Sequence, residues 1–93
     1  MRCAMTAARL RSERGITMNC VSPGIVETPL LPAFMKTFGE NRMQAAIDAA
    51  GRAGQPDDIA AVVRFLLCPS SRWIVGENIR VDGGVSAWKF AAG

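Results

Sequence analysis

Apolar and polar residues along this chain switch between two spacings, and the switches mark its elements. Residues 2–14 are good helix formers interleaved with charge; Arg14 falls in the last turn and Gly15 is placed as a C-terminal stop. From Ile16 to Ser22 the apolar positions serve both faces of an extended segment, which Pro23-Gly24 ends. Helical spacing then returns with Leu30, Leu31, Phe34, Met35, Phe38, Met43 and Ile47, and Gly39 and Asn41 split that stretch into two short helices. After a loop at Gly51–Gln55, Pro56 fits a first helical position, with Asp57 and Asp58 where the helix dipole favours negative charge. Ile59, Val62, Val63, Leu66 and Leu67 make one stripe, assigned to the core, and Pro69 ends that helix. A short strand at Asn78–Asp82 and a sharp Asp82-Gly83-Gly84 turn lead into a tail, residues 85–93, that carries Trp88 and Phe90.

The order helix, strand, helices, strand predicts an α/β layer. Two apolar strands separated by a long helical crossover are expected to be parallel neighbours. Two strands cannot cover their own edges and faces, so the layer is incomplete on its own and expects a further strand on the open edge of residues 16–22.

Composition narrows the function. The 93 residues bound the chain to one domain, and 49% apolar with 20% charged residues is a globular balance. No apolar run approaches the roughly 18 residues of a spanning helix, which predicts a soluble, cytoplasmic protein without a membrane partner. Three cysteines and no histidine offer neither a disulfide framework nor a metal site, and Cys20 and Cys68 are expected to be small buried hydrophobes. The net charge of +3 owes much to Arg2, Arg9, Arg11 and Arg14. Glu13 interrupts that run and no aromatic residues are interleaved to stack on bases, so a solvated helix face, not a nucleic-acid partner, is expected.

Four segments carry a family likeness. Gly15-Ile16-Thr17-Met18-Asn19-Cys20-Val21-Ser22-Pro23-Gly24 resembles the sixth strand and Pro-Gly turn of the short-chain dehydrogenase/reductase family, and Val26-Glu27-Thr28-Pro29 resembles the segment after it. Gly51-Arg52-Ala53-Gly54-Gln55-Pro56-Asp57-Asp58-Ile59-Ala60 resembles the start of the following long helix. Residues 73–84 resemble the last strand and its Asp-Gly-Gly turn. Thr28-Pro29-Leu30-Leu31, with the Gly-Val pair after Asp82, is similar to hydroxysteroid dehydrogenase/carbonyl reductase members.

The resemblance implies the C-terminal part of a Rossmann-type doubly wound parallel sheet in an enzyme that moves a hydride between NAD or NADP and an alcohol or ketone. It implies that Pro23 and Gly24 line the nicotinamide pocket, that the Val26 main chain bonds the carboxamide, and that the Thr28 hydroxyl reaches the carboxamide or pyrophosphate. The other reading of Pro23-Gly24 is an ordinary strand-ending turn, and of Thr28 an N-cap of a helix starting at Pro29. Residues 30–50 fall where the family carries its substrate lid, so Leu30, Leu31, Phe34, Met35 and Phe38 would wall an apolar substrate site, helix packing being the other reading. The last strand, its turn and the tail are similar to a subunit-contact region, which implies a homo-oligomer or pairing with a full-length relative. The family's proton donor, a tyrosine four residues before a lysine, is absent: the chain has no tyrosine, and no glycine-rich dinucleotide loop. Ser22 and Asn19 are expected to make local hydrogen bonds and not to replace it. No residue here is assigned as catalytic, and tight cofactor binding by this chain alone is not expected.

Overall fold

The computed structural model describes residues 2–87, with side chains from Met5 onward. Trp88 and Phe90, expected to form part of a contact tail, lie outside the described residues. Helix α1 (Arg2–Arg14) stops where Gly15 takes φ 68° and donates its N–H to the Arg11 carbonyl at 3.0 Å. Strand β1 (Cys20–Pro23) follows, then α2 (Leu31–Phe38), α3 (Glu40–Ala50), α4 (Pro56–Leu66), a 3₁₀ turn at Pro69–Ser71 and β2 (Asn78–Val81).

The sheet is parallel, with Cys20 opposite Asn78 and Pro23 opposite Val81. Both strands are shorter than expected. Residues 16–19 and Asp82 fall outside the ladder, although Gly76 still donates to the Met18 carbonyl at 2.8 Å. The ladder needs paired backbone on both sides, and the partner segment offers only Asn78–Val81. The Asn19 side chain fixes the entry: its amide donates to the Ile74 carbonyl at 2.9 Å and its oxygen accepts the Glu77 N–H at 3.0 Å. Ser22 Oγ donates to Asn78 Oδ1 at 2.6 Å across the pair. Both residues thus do the local work expected of them.

Gly39, at φ 99°, separates α2 from α3, and Gly51, at φ 89°, ends α3 in the left-handed region. Pro32, not Pro29, lies in the first turn of α2; the helix begins at Leu31, and the Thr28 carbonyl accepts the Leu31 N–H at 3.0 Å. Pro56 opens α4, where the Asp58 carboxylate reaches back to the Gln55 N–H at 2.7 Å.

The α4 stripe departs from the expected core. Ile59, Val62 and Leu66 are half-buried, whereas Val63 is exposed and Leu67 is 80% exposed. A helix lying against a two-stranded sheet has too little opposing surface to cover a five-residue stripe. The cysteines differ for the same reason: Cys20 is half-buried and Cys68 exposed, its Sγ bonded to the Arg64 carbonyl at 3.2 Å. Among the described residues only Ala7 and Ser71 are buried, and no helix is long and apolar enough to cross a membrane.

Candidate functional site

Parallel strands finish at the same end of their sheet, and the two loops leaving β1 and β2 meet there. Gly24 donates its N–H to the Val81 carbonyl at 3.1 Å, which brings the Pro-Gly turn against Asp82. A Cβ built on Gly24 would lie 2.8 Å from both Cα and Cβ of Asp82. Glycine is therefore favoured at this position by the residue that follows β2, before any ligand is considered. On the other side of the turn, Gly83, at φ 65°, approaches α3 so closely that an added Cβ would sit 2.7 Å from the Ala50 Cβ.

A cleft of about 270 Å³ opens at this junction, with Pro23, Gly24, Ala46, Ala50, Arg80 and Asp82 among its walls. It lies at the carboxyl end of the strands, where open α/β sheets bind ligands. The Asp82 carboxylate accepts the Gly84 N–H at 3.0 Å and the Ser86 N–H at 3.2 Å. A bond from the Ser86 side chain, with these N–H groups and the nearby Arg80 charge, holds it below the usual carboxylate range against a smaller desolvation cost.

Val26 lies just past the cleft and, among the described residues, is paired on one side only. It forms a parallel bridge with Gly54, in which Gly54 donates to the Ile25 carbonyl and Glu27 donates to the Gly54 carbonyl, each at 2.7 Å. In such a bridge the flanking residues make the bonds, so the N–H and C=O of Val26 itself face the opposite side. That side has a donor and an acceptor one residue wide, the complement of a primary amide.

The sequence-predicted residues divide between several places. Pro23 and Gly24 line the cleft, and Val26 and Thr28 do not; Thr28 is exposed beyond the bridge. Leu31 and Met35 are half-buried in a separate groove between α2 and α3 that also contains Lys36 and Glu40. Leu30, Phe34 and Phe38 are exposed, with the two phenyl rings stacked at 6.0 Å. The residues expected to wall a substrate site thus lie on α2 and at its N-cap, without being gathered around the Pro-Gly turn.

Sequence reasoning missed a polar cluster beside Val26. Arg52 donates to the Asp58 carboxylate at 2.8 and 3.3 Å and to the Ala53 carbonyl, and Gln55 Nε2 donates to Glu27 Oε2 at 2.7 Å. The Arg52 bond, then the Gln55 N–H, lowers the Asp58 pKa, and the same bond raises that of Arg52. The legible signal was an aspartate three residues after Gln55 at a helix start, which is capping-box spacing.

Comparison with known proteins agrees with this geometry. The family model described as Enoyl-(Acyl carrier protein) reductase matches residues 2–86. The chain belongs to the short-chain dehydrogenase/reductase family. A coniferyl-alcohol dehydrogenase from a Pseudomonas strain is 43% identical over 72 residues, 77% of this chain and 28% of that protein. The 3-alpha-hydroxysteroid dehydrogenase/carbonyl reductase of Comamonas testosteroni is 35% identical over 77 residues, 81% of this chain and 30% of that protein.

Solved short-chain dehydrogenase/reductase structures place the fold. An Agrobacterium tumefaciens protein provisionally assigned as a 2-deoxy-d-gluconate 3-dehydrogenase, solved with bound NADP, superposes with TM-score 0.78 at 30% identity, over 92% of this chain and 35% of that one. The hydroxysteroid dehydrogenase of Escherichia coli gives TM-score 0.74 at 30% identity, over 88% of this chain and 34% of that one. The α/β architecture is thus a portion of the family's Rossmann-type sheet, and the chain spans about a third of the length of these relatives.

Proposed function

We propose that this chain supplies the nicotinamide-side loop, substrate lid and subunit-contact strand of an NAD(P)-dependent oxidoreductase that interconverts an alcohol and a ketone. The observation that carries the reading is the one-sided Val26 bridge directly after a Pro-Gly turn at the carboxyl end of two parallel strands. A primary amide fits this donor set: the Val26 N–H and C=O can bind and orient the carboxamide of NAD or NADP. The bound nicotinamide would supply the hydride-carrying ring. Pro23 offers an apolar face and no competing N–H, and the exposed Thr28 hydroxyl can donate or accept at the loop's outer end. Leu30, Phe34 and Phe38 would exclude water from an apolar substrate. The proton-handling tyrosine and lysine and the dinucleotide loop fall to the rest of the protein, since this chain contains no tyrosine.

The Agrobacterium neighbour with NADP bound supports the cofactor class. The partner in this reading is the preceding portion of the same enzyme or a full-length relative. Support comes from β1 itself, which among the described residues pairs with β2 alone, and from a groove between β1 and α4 lined by Thr17, Asn19, Val21, Val63 and Leu67. The test joins this chain to the N-terminal portion of a family relative. Enhanced NADH or NADPH fluorescence is expected in the joined protein, and little in the 93-residue chain. Absence of enhancement from a folded joined protein overturns the reading. Coding sequence upstream of Met1 is expected to read, in frame, through Tyr-x-x-x-Lys; a stop codon there with no such coding counts against it.

A further inference from the structure

The polar cluster beside Val26 converges on that residue from one side. Gly54 bonds both neighbours of Val26 at 2.7 Å, and Gln55 reaches the side chain of Glu27, also at 2.7 Å. Arg52 then spans the loop to Asp58, and Asp58 caps the first turn of α4 through the Gln55 N–H. Helix α4 packs on β1, so the loop is held between a strand end and a helix start. Without these bonds, residues 25–30 would hang from Gly24 alone until α2 begins. The hydrogen bonds occupy one face of residue 26 and leave the other available.

We infer that Glu27, Arg52, Gln55 and Asp58 are positioning residues, which clasp the 51–55 loop to residues 25–27 and hold the Val26 N–H and C=O toward a carboxamide ligand. The inference rests on the nicotinamide reading of Val26. The residues touch no cofactor in this scheme; they act through the orientation of one peptide segment. Their effect is on the ordering of that segment, so their loss should reduce occupancy without disturbing the β1–β2 ladder.

The test has two readouts, amide exchange in this chain and ligand binding in the protein joined to the N-terminal portion of a family relative. In Glu27→Ala and Arg52→Ala, the amides of residues 27 and 54 are expected to exchange roughly threefold or more faster relative to their intrinsic rates, the scale of an exposed polar or charged pair. The Cys20 and Gly24 amides, which bond the Glu77 and Val81 carbonyls, should keep wild-type protection. Glu27→Gln retains an acceptor for Gln55 and should behave as wild type. Nicotinamide mononucleotide at about millimolar concentration is expected to shift the Val26 amide resonance in the joined protein, with affinity roughly threefold or more weaker when it carries Arg52→Ala.

Unchanged exchange at residues 27 and 54 in the alanine variants, or equal loss of protection in Glu27→Gln, overturns the clasp. So does a parallel rise at Cys20 and Gly24 in Arg52→Ala, which would mark general loosening of the fold. If the exchange pattern holds but the Val26 resonance of the joined protein ignores nicotinamide mononucleotide, the clasp stands and the nicotinamide reading falls. If the ligand binds the joined protein and its Arg52→Ala variant alike, the reading stands and the positioning role falls.

Discussion

Gly24→Ala separates a packing requirement from a ligand requirement at one residue. The new Cβ would lie 2.8 Å from Cα and Cβ of Asp82 and 3.4 Å from its carbonyl oxygen. Carbon atoms rest comfortably at about 3.5–4.0 Å, so the strand ends must part by roughly 0.7 Å or more. Overpacking of this kind costs about 1–3 kcal/mol. The substitution also removes unfolded-state freedom, which returns about 0.4–1 kcal/mol. At mid-range values the clash wins, about 2 kcal/mol against about 0.7, leaving a net loss of about 1.3 kcal/mol, or roughly 5–10 °C in melting temperature for a domain of this size.

Gly54→Ala is the matched comparison: its Cβ meets the Ile25 carbonyl oxygen at 3.4 Å and the Val26 side chain at 3.7 Å, ordinary contact distances. It should stay within about 0.5 kcal/mol of wild type. Adding Asp82→Gly to Gly24→Ala should not restore stability, because the Asp82 Cα remains in the way. The assay is urea unfolding followed by circular dichroism, with no ligand present. A Gly24→Ala midpoint matching wild type would refute the reasoning and leave ligand approach as the sole reason for glycine there.

Asn19→Ala should lose about 1–2 kcal/mol in the same assay, since the Ile74 carbonyl loses a part-buried bond and the Glu77 N–H an exposed one. Asn19→Asp keeps the acceptor but turns a carboxylate on the Ile74 carbonyl, and should be no better at neutral pH. Asp82 titrates below its unfolded value of about 3.9, so its contribution is complete above that pH and lost as pH falls through the folded value. The urea midpoint of wild type should therefore drop more than that of Asp82→Asn between about pH 4 and pH 2. Leu67→Glu with Trp73→Ser should reduce self-association in sedimentation at an unchanged melting temperature, because those side chains are 80% and 88% exposed.

Element types were legible because each carries a local signal. Gly15, Gly39 and Gly51 all occur where positive φ ends or separates a helix, and Pro56 stands in a first turn. The parallel pairing followed from the long crossover between two apolar runs. Strand length was not legible, since it is set by the partner's paired residues and not by the apolar run from Ile16. Burial of Val63 and Leu67 was misjudged for a related reason: periodicity reports which side of a helix is apolar, not whether a surface lies against it. In the site, Pro23-Gly24 could be read as a turn, but the demand for Gly24 comes from Asp82, 58 residues away in sequence. The Glu27–Gln55 bond likewise joins segments whose proximity only the fold creates.

The contact between Gly83 and Ala50 determines how the helical segment can swing. The C-terminal end of α3 is clamped on the turn after β2, whereas α2 leans on α3 and presents Leu30, Phe34 and Phe38 outward. Any tilt of the two helices would therefore pivot near Ala50. Eleven residues make α3 about 16 Å long. A tilt of about 10° at that pivot would carry its far end roughly 3 Å, and α2 with it, while Pro23 and Gly24 stay fixed to the sheet.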